Sequence, residues 1–160
     1  MTERPLRILE VITPRRFSGA ERMVVWQAQG LRDRGHEVLV ACKPNARLEE
    51  ELRRVGLAVR PLAISGKANV LAPFRLARVA REFRADIIQT HLSTASLWGS
   101  FAGKLVGVPV VAEVHALNSK RCFVSADRIV TCSAGVRQHL LAQGVPPERI
   151  AVLYNGLPPE

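Results

Sequence analysis

Short apolar runs and longer stretches of helical spacing alternate from one end of the chain to the other. Leu6–Ile12 (LRILEVI), Glu37–Cys42 (EVLVAC), Asp86–Thr90 (DIIQT) and Pro109–Val114 (PVVAEV) are short and nearly continuous, the pattern of strands buried on both faces. Leu57–Ile64, Arg128–Cys132 and Ile150–Leu153 read as three more strands, and Pro61 moves the first of these toward a sheet edge. Between the strands, Ala20–Arg34 places Ala20, Met23, Val24, Gln27, Ala28 and Leu31 on one helical face, with Gly35 set to end the helix. Arg47–Val55 is a short charged helix stopped by Gly56. Pro73–Arg84 is cleanly sided: Leu76, Val79, Ala80 and Phe83 face inward, while Arg75, Arg78 and Arg81 line the outside. Thr94–Val106 is apolar nearly all round, with Lys104 its one charge, which predicts a deeply packed helix. Ser133 is placed to cap a last helix over Ala134–Gln143.

Strands alternating with helices predict βαβ units. The expected fold class is therefore α/β: a Rossmann-like parallel sheet of about seven strands with helices on both faces. Such sheets bind ligands beyond the carboxyl ends of their strands, near the point where the strand order reverses. That directs attention to the loops Thr13–Gly19, His91–Thr94 and His115–Lys120, and to Ser133.

The 160 residues, 48% of them hydrophobic, fit one domain with a core of its own. No apolar stretch approaches the roughly 18–20 residues that a membrane-spanning helix needs. The opening MTERPLRILEVI carries charges where a secretion signal needs apolar residues. Cys42, Cys122 and Cys132 are odd in number and lack metal-ligand spacing, so they read as reduced thiols of a cytoplasmic protein. The net charge of +9 is concentrated in residues 1–84, which hold 17 basic against 9 acidic residues. Nineteen of the 23 basic residues are arginine, whose planar fork suits phosphate. The charge therefore points to a phosphorylated ligand, an anionic lipid or a nucleic acid. Nucleic acid is set aside: the chain has one tyrosine and no interleaving of aromatic and basic residues such as stacking platforms show.

The loop after the first strand, TPRRFSGA, is neither a dinucleotide fingerprint nor a P-loop. Its one glycine still makes sense beside a phosphate. Gly19 lacks a Cβ, so a phosphoryl group could approach the backbone closely, and the first-turn N–H groups of the helix would attract its charge. A glycine needed only for a tight strand-to-helix turn is the alternative. His91 and His115 end the fourth and fifth strands, both at the edge expected to hold a site. They are not read as a metal pair, because no third ligand stands at a recognisable spacing. No G-x-S-x-G elbow is present, which sets aside a serine hydrolase of that kind.

The segments FSGAERMVVWQAQGLRDRGHEVLVAC, ADIIQTHLS, VPVVAEVH and ADRIVTCSAGVRQHLLAQGVPPERIAVLYNGLP occur in an order that resembles the family 4 retaining glycosyltransferases, in the N-terminal half of their two-domain GT-B fold. The resemblance covers about residues 6–158. It implies transfer of a sugar from a nucleotide diphosphate sugar donor to a sugar or lipid-linked acceptor, with retained configuration, in cell-envelope glycolipid or polysaccharide synthesis. It also implies no cofactor and no metal. By it, Ser18 and Gly19 lie against the donor diphosphate, with Ser18 where many members have a second glycine. His115 lies near the transferred sugar and orients it. Arg15, Arg16, His91 and Ser133 line the acceptor side of the cleft, and Glu21 and Arg22 support the loop. Asn155 and Gly156 match the crossover to a C-terminal donor-binding domain, which is the expected partner. The chain ends at Glu160, so it is expected to be the N-terminal domain alone and inactive by itself. The resemblance and the arginines of Pro73–Arg84 together suggest peripheral contact with an anionic membrane face.

Two other readings are weighed beside this one. A non-catalytic binding module for a nucleotide sugar or other phospho-ligand needs only the glycine loop. Half of a GT-B sugar-nucleotide epimerase would favour carboxylates at the cleft, and Glu113 is the one candidate there.

Overall fold

The computed structural model describes residues 4–15 and 17–154. Seven strands form one all-parallel sheet: β1 (Arg7–Ile12), β2 (Glu37–Cys42), β3 (Ala58–Pro61), β4 (Ile87–His91), β5 (Val110–Val114), β6 (Arg128–Thr131) and β7 (Ile150–Val152). Their order is β3-β2-β1-β4-β5-β6-β7. The α/β class, the parallel sheet and the strand number match the expectation. Among the described residues, five α-helices pack on the sheet: α1 (Gly19–Asp33), α2 (Ala46–Arg54), α3 (Ala72–Phe83), α4 (Ser93–Val106) and α5 (Ala134–Ala142).

Side chains alternate along β1 and so feed two cores. Ile8 and Ile12 join Val24, Val25, Ala28, Leu48 and Leu52 under α1 and α2. Leu9 and Val11 join Leu76, Ala95, Ile88 and Val136 under α3, α4 and α5. Burial on both faces explains the continuous apolar runs. β3 is an edge strand and stops at Pro61, well short of the Ile64 expected, because proline offers no ladder N–H. The buried stripe of α1 is Glu21, Val24, Val25 and Ala28, rotated from the expected face so that Met23 and Gln27 are only half buried.

α4 departs most from its expected packing. A Cβ at Gly99 would stand 2.4 Å from Thr90 Cγ2, and one at Gly103 would stand 2.2 Å from Val110 Cγ2. The helix therefore lays its smallest residues directly on β4 and β5. Two of its larger side chains, Phe101 and Leu105, are turned outward and exposed, while Trp98 is buried.

Candidate functional site

The strand order reverses between β1 and β4, so their carboxyl ends open into the sheet's natural cleft. The loop after β1 ends in Ser18, the N-cap of α1, and Gly19, its first residue. The backbone N–H and hydroxyl of Ser18 both donate to Glu21 Oε2, at 2.8 and 2.6 Å. Glu21 is buried and holds the loop onto the helix, the supporting role expected of it. The Ser18 hydroxyl is thereby engaged within the loop. Gly19 is exposed, its φ is not in the left-handed region, and a Cβ there would meet nothing within 4 Å. A tight turn therefore does not require this glycine. The first-turn amides of the helix have no partner within it.

Beneath that opening lies a chain of buried polar groups from three strands. Register places Ile12, His91 and Glu113 in one row, with Glu10 and Gln89 paired two residues earlier. Strand alternation then puts Glu10, Gln89, His91 and Glu113 on the α1 side of the sheet. His91 Nε2 lies 2.6 Å from Glu10 Oε2. His91 Nδ1 lies 3.2 Å from His115 Nε2, and the two rings stack with centroids 5.5 Å apart. Glu113 Oε2 accepts from Gln27 and Gln89, each at 3.0 Å. His91 is wholly buried, and only His115 reaches the cleft, its side chain 11% exposed.

The electrostatics follow from this geometry. Burial pushes the Glu10 carboxyl upward against the opposing pull of His91. Burial also works against an imidazolium at His91, but the charge and hydrogen bond of Glu10, with the charge of Glu113, outweigh it and raise the pKa. The two groups together hold one proton tightly. His115 moves down, first through burial and then through the charge on His91, with Glu113 and Glu21 opposing. When His91 is charged, its Nδ1–H donates to His115 Nε2. A neutral His115 then carries its proton on Nδ1 and becomes a fixed hydrogen-bond donor.

Each residue named from the sequence can now be placed. Arg15 is exposed in the loop after β1. Arg16, Asn155 and Gly156 lie outside the described residues. His91, expected to line the cleft, is wholly buried and contacts His115. Ser133 Oγ accepts from the Val136 N–H at 3.2 Å, so it caps α5. The loop after β5 is pinned to α5 by His139 and Gln143, both of which bond to Asn118 O. Leu92 was not foreseen: it holds φ +72° between His91 and α4, a strained backbone at the cleft edge. Glu10 was also missed, since one charge inside an apolar run carries no sign of its partner.

A third potential metal ligand does meet the two histidines in space, contrary to the spacing argument. Glu113 oxygens lie 3.7 Å from His91 Nδ1 and 3.8 Å from His115 Nε2. The direct contact between the rings and the two amide donors on Glu113 account for the arrangement as a hydrogen-bonded network.

The sequence model of Glycosyltransferase Family 4 matches residues 17–160. Comparison with curated proteins gives no match. Among solved structures, Anabaena HepE in complex with UDP superposes with TM-score 0.81 at 21% identity, over 95% of this chain and 44% of that one. The lipopolysaccharide outer core galactosyltransferase WaaB, in its apo form, gives 0.71 at 18%, over 95% and 46%. A Listeria monocytogenes protein assigned as a UDP-N-acetylglucosamine 2-epimerase gives 0.69 at 15%, over 92% and 44%. The chain thus spans a little under half the length of each.

Proposed function

Because the chain belongs to glycosyltransferase family 4, we propose that it forms the N-terminal half of an enzyme transferring a sugar from a nucleotide diphosphate sugar to an acceptor hydroxyl. Retention of configuration, a role in cell-envelope glycolipid or polysaccharide synthesis, and a reaction without a resident metal are parts of the same reading. The observation that carries it is His115, held at the cleft edge by the buried Glu10–His91 pair.

In this reading the first-turn amides of α1 face the donor diphosphate, where Gly19 leaves room for close approach. They stabilise negative charge as it develops on the leaving group. His115, kept neutral, donates from Nδ1 to the sugar and orients it. Arg15, exposed in the loop after β1, faces the acceptor. A second domain, C-terminal to this one, would hold the nucleotide and exclude water on closure. The structural likeness to UDP- and sugar-nucleotide-handling proteins supports the donor class. Burial of Glu113, whose Oε2 already accepts two amide bonds, speaks against the epimerase alternative.

The test is His115→Ala in the enzyme carrying both halves. A group that orients the sugar acts mostly in the transition state, so kcat should fall about tenfold or more while donor binding changes less. An unchanged kcat would return His115 to a packing role.

A further inference from the structure

Three ligand atoms converge under the cleft at spacings suited to one metal ion. His91 Nδ1, His115 Nε2 and the Glu113 carboxylate all lie within 4.8 Å of one another. The two nitrogens are 3.2 Å apart, and Glu113 oxygens lie 3.7 Å from His91 Nδ1 and 3.8 Å from His115 Nε2. Three ligands bound at about 2.0–2.1 Å to a tetrahedral zinc ion stand about 3.3–3.4 Å apart, so these atoms need shift only a few tenths of an ångström. The nitrogens also face each other, being far closer together than the ring centroids, which are 5.5 Å apart. Sequence spacing hides the set, because His91 and Glu113 meet only through the register of β4 with β5.

The surroundings orient each ligand. His91 Nε2 donates to Glu10 Oε2 at 2.6 Å, which fixes the ring and leaves Nδ1 as the ligating atom, as a carboxylate behind a metal-bound histidine does. Gln27 and Gln89 each donate to Glu113 Oε2 at 3.0 Å and hold the carboxylate in place. Glu113 Oε1 accepts no hydrogen bond among the described residues and is the oxygen nearer His115. No cysteine belongs to the set. Two imidazoles and a carboxylate suit zinc and its neighbours, whereas calcium and magnesium take oxygen ligands. His115 is the ligand that reaches the cleft, so an ion enters past its ring.

We propose that His91 Nδ1, His115 Nε2 and Glu113 form a binding site for one divalent ion of the zinc class, with Glu10 as a positioning residue behind His91. In the metal-free chain a proton bridges the two nitrogens; the ion takes its place and that proton leaves to solvent. The ion ties the end of β4 to β5 and to the residue that follows it. It leaves His115 Nδ1 free to donate into the cleft, and it is no reactant in the sugar transfer proposed above. The site holds whether or not that reading does.

The experiment is titration calorimetry of Zn²⁺ into the untagged chain after stripping with EDTA, with Mg²⁺ for comparison. One Zn²⁺ per chain should bind with a micromolar Kd or tighter, and Mg²⁺ should not bind. His115→Gln and Glu113→Gln should each weaken Zn²⁺ binding more than tenfold, and Glu10→Gln about tenfold through His91. His139→Gln and Cys132→Ser should leave it unchanged. Co²⁺ supplies a readout that needs no variant: its visible absorption should be that of a tetrahedral site of nitrogen and oxygen ligands, without a thiolate charge-transfer band. No binding of Zn²⁺, equal binding of Mg²⁺, or unchanged affinity in His115→Gln overturns the proposal. So does a thiolate band with Co²⁺, or loss of Zn²⁺ binding in Cys132→Ser.

Discussion

At the carboxyl ends of the strands this molecule hides charge, and across α3 and α4 it displays hydrocarbon. Glu10, His91 and Glu113 are buried, whereas Phe74, Phe101 and Leu105 face solvent. Each arrangement runs against the ordinary partition of residues, and such exceptions are the informative ones. They differ in how tightly each is specified. A buried carboxylate and imidazole require partners at set distances, so several elements must agree on one geometry. An exposed aromatic needs only the absence of a neighbour. The first region is therefore where the fold bears a large energetic penalty for error, and the second is where it tolerates change.

The largest expected effect tests that asymmetry. His91→Ala leaves the Glu10 carboxyl buried without its partner and should cost about 3–5 kcal/mol of stability in urea unfolding. Phe74→Ser, on an exposed position, should cost about 0.5 kcal/mol or less. Similar losses for the two variants would erase the distinction.

Next in size is the seating of α4, which links the two regions because Phe101 and Leu105 are turned outward. Gly103→Ala places a methyl group where Val110 Cγ2 and Val108 O already stand. Overpacking of this kind costs about 1–3 kcal/mol, to be read from the same unfolding curves. A neutral Gly103→Ala would mean that α4 can lift from the sheet, and the outward turn of Phe101 would then need another cause.

These two glycines mark the limit of what periodicity can convey. The sequence places every strand and helix to within a few residues, because apolar runs and helical spacing are local properties. It does not say how closely a helix approaches a sheet. An all-round apolar pattern over 94–106 therefore reads as deep burial, when its small residues are buried and some of its largest are exposed. The site divides in the same way. Gly19 and His115 are legible because strand ends and helix starts can be located from the chain. Glu10 is not, since its partner His91 is far away in sequence and they meet only through the β1–β4 register. The burial of His91 depends on the same register and on α1.

The proton balance sharpens the comparison within the buried region. Glu10 and His91 have raised pKa values, so the folded chain binds their shared proton more tightly than the unfolded chain does. For His91, that stabilisation is complete below the ordinary histidine value of 6.5 and is lost as pH rises through the folded value. His115 has the opposite sign: its pKa is lowered, so its contribution is present above 6.5 and lost as pH falls through the folded value. Thermal midpoints measured across pH should separate the two. The penalty of His91→Gln should shrink toward alkaline pH, and His115→Ala should flatten the acid side of the profile. Parallel profiles for wild type and both variants would show that neither histidine titrates differently on folding.

The smallest effect on stability is expected at Gly19, where the comparison turns from stability to function. Gly19 stands at the mouth of the cleft, yet the fold makes no demand on it: its φ is ordinary and the space beside it is empty. Gly19→Val should therefore leave the unfolding free energy within about 0.5 kcal/mol of the wild type, as for other surface substitutions. In the enzyme carrying both halves, the same side chain would occupy the space proposed for the donor diphosphate. Donor affinity, followed by titration calorimetry with a nucleotide diphosphate sugar, should fall about tenfold, equivalent to about 1.4 kcal/mol. Gly19→Ala, which adds a single carbon, should fall between the two. Loss of stability without loss of affinity would assign the glycine to the turn after all. Loss of affinity at constant stability is the outcome that a residue kept for a ligand requires.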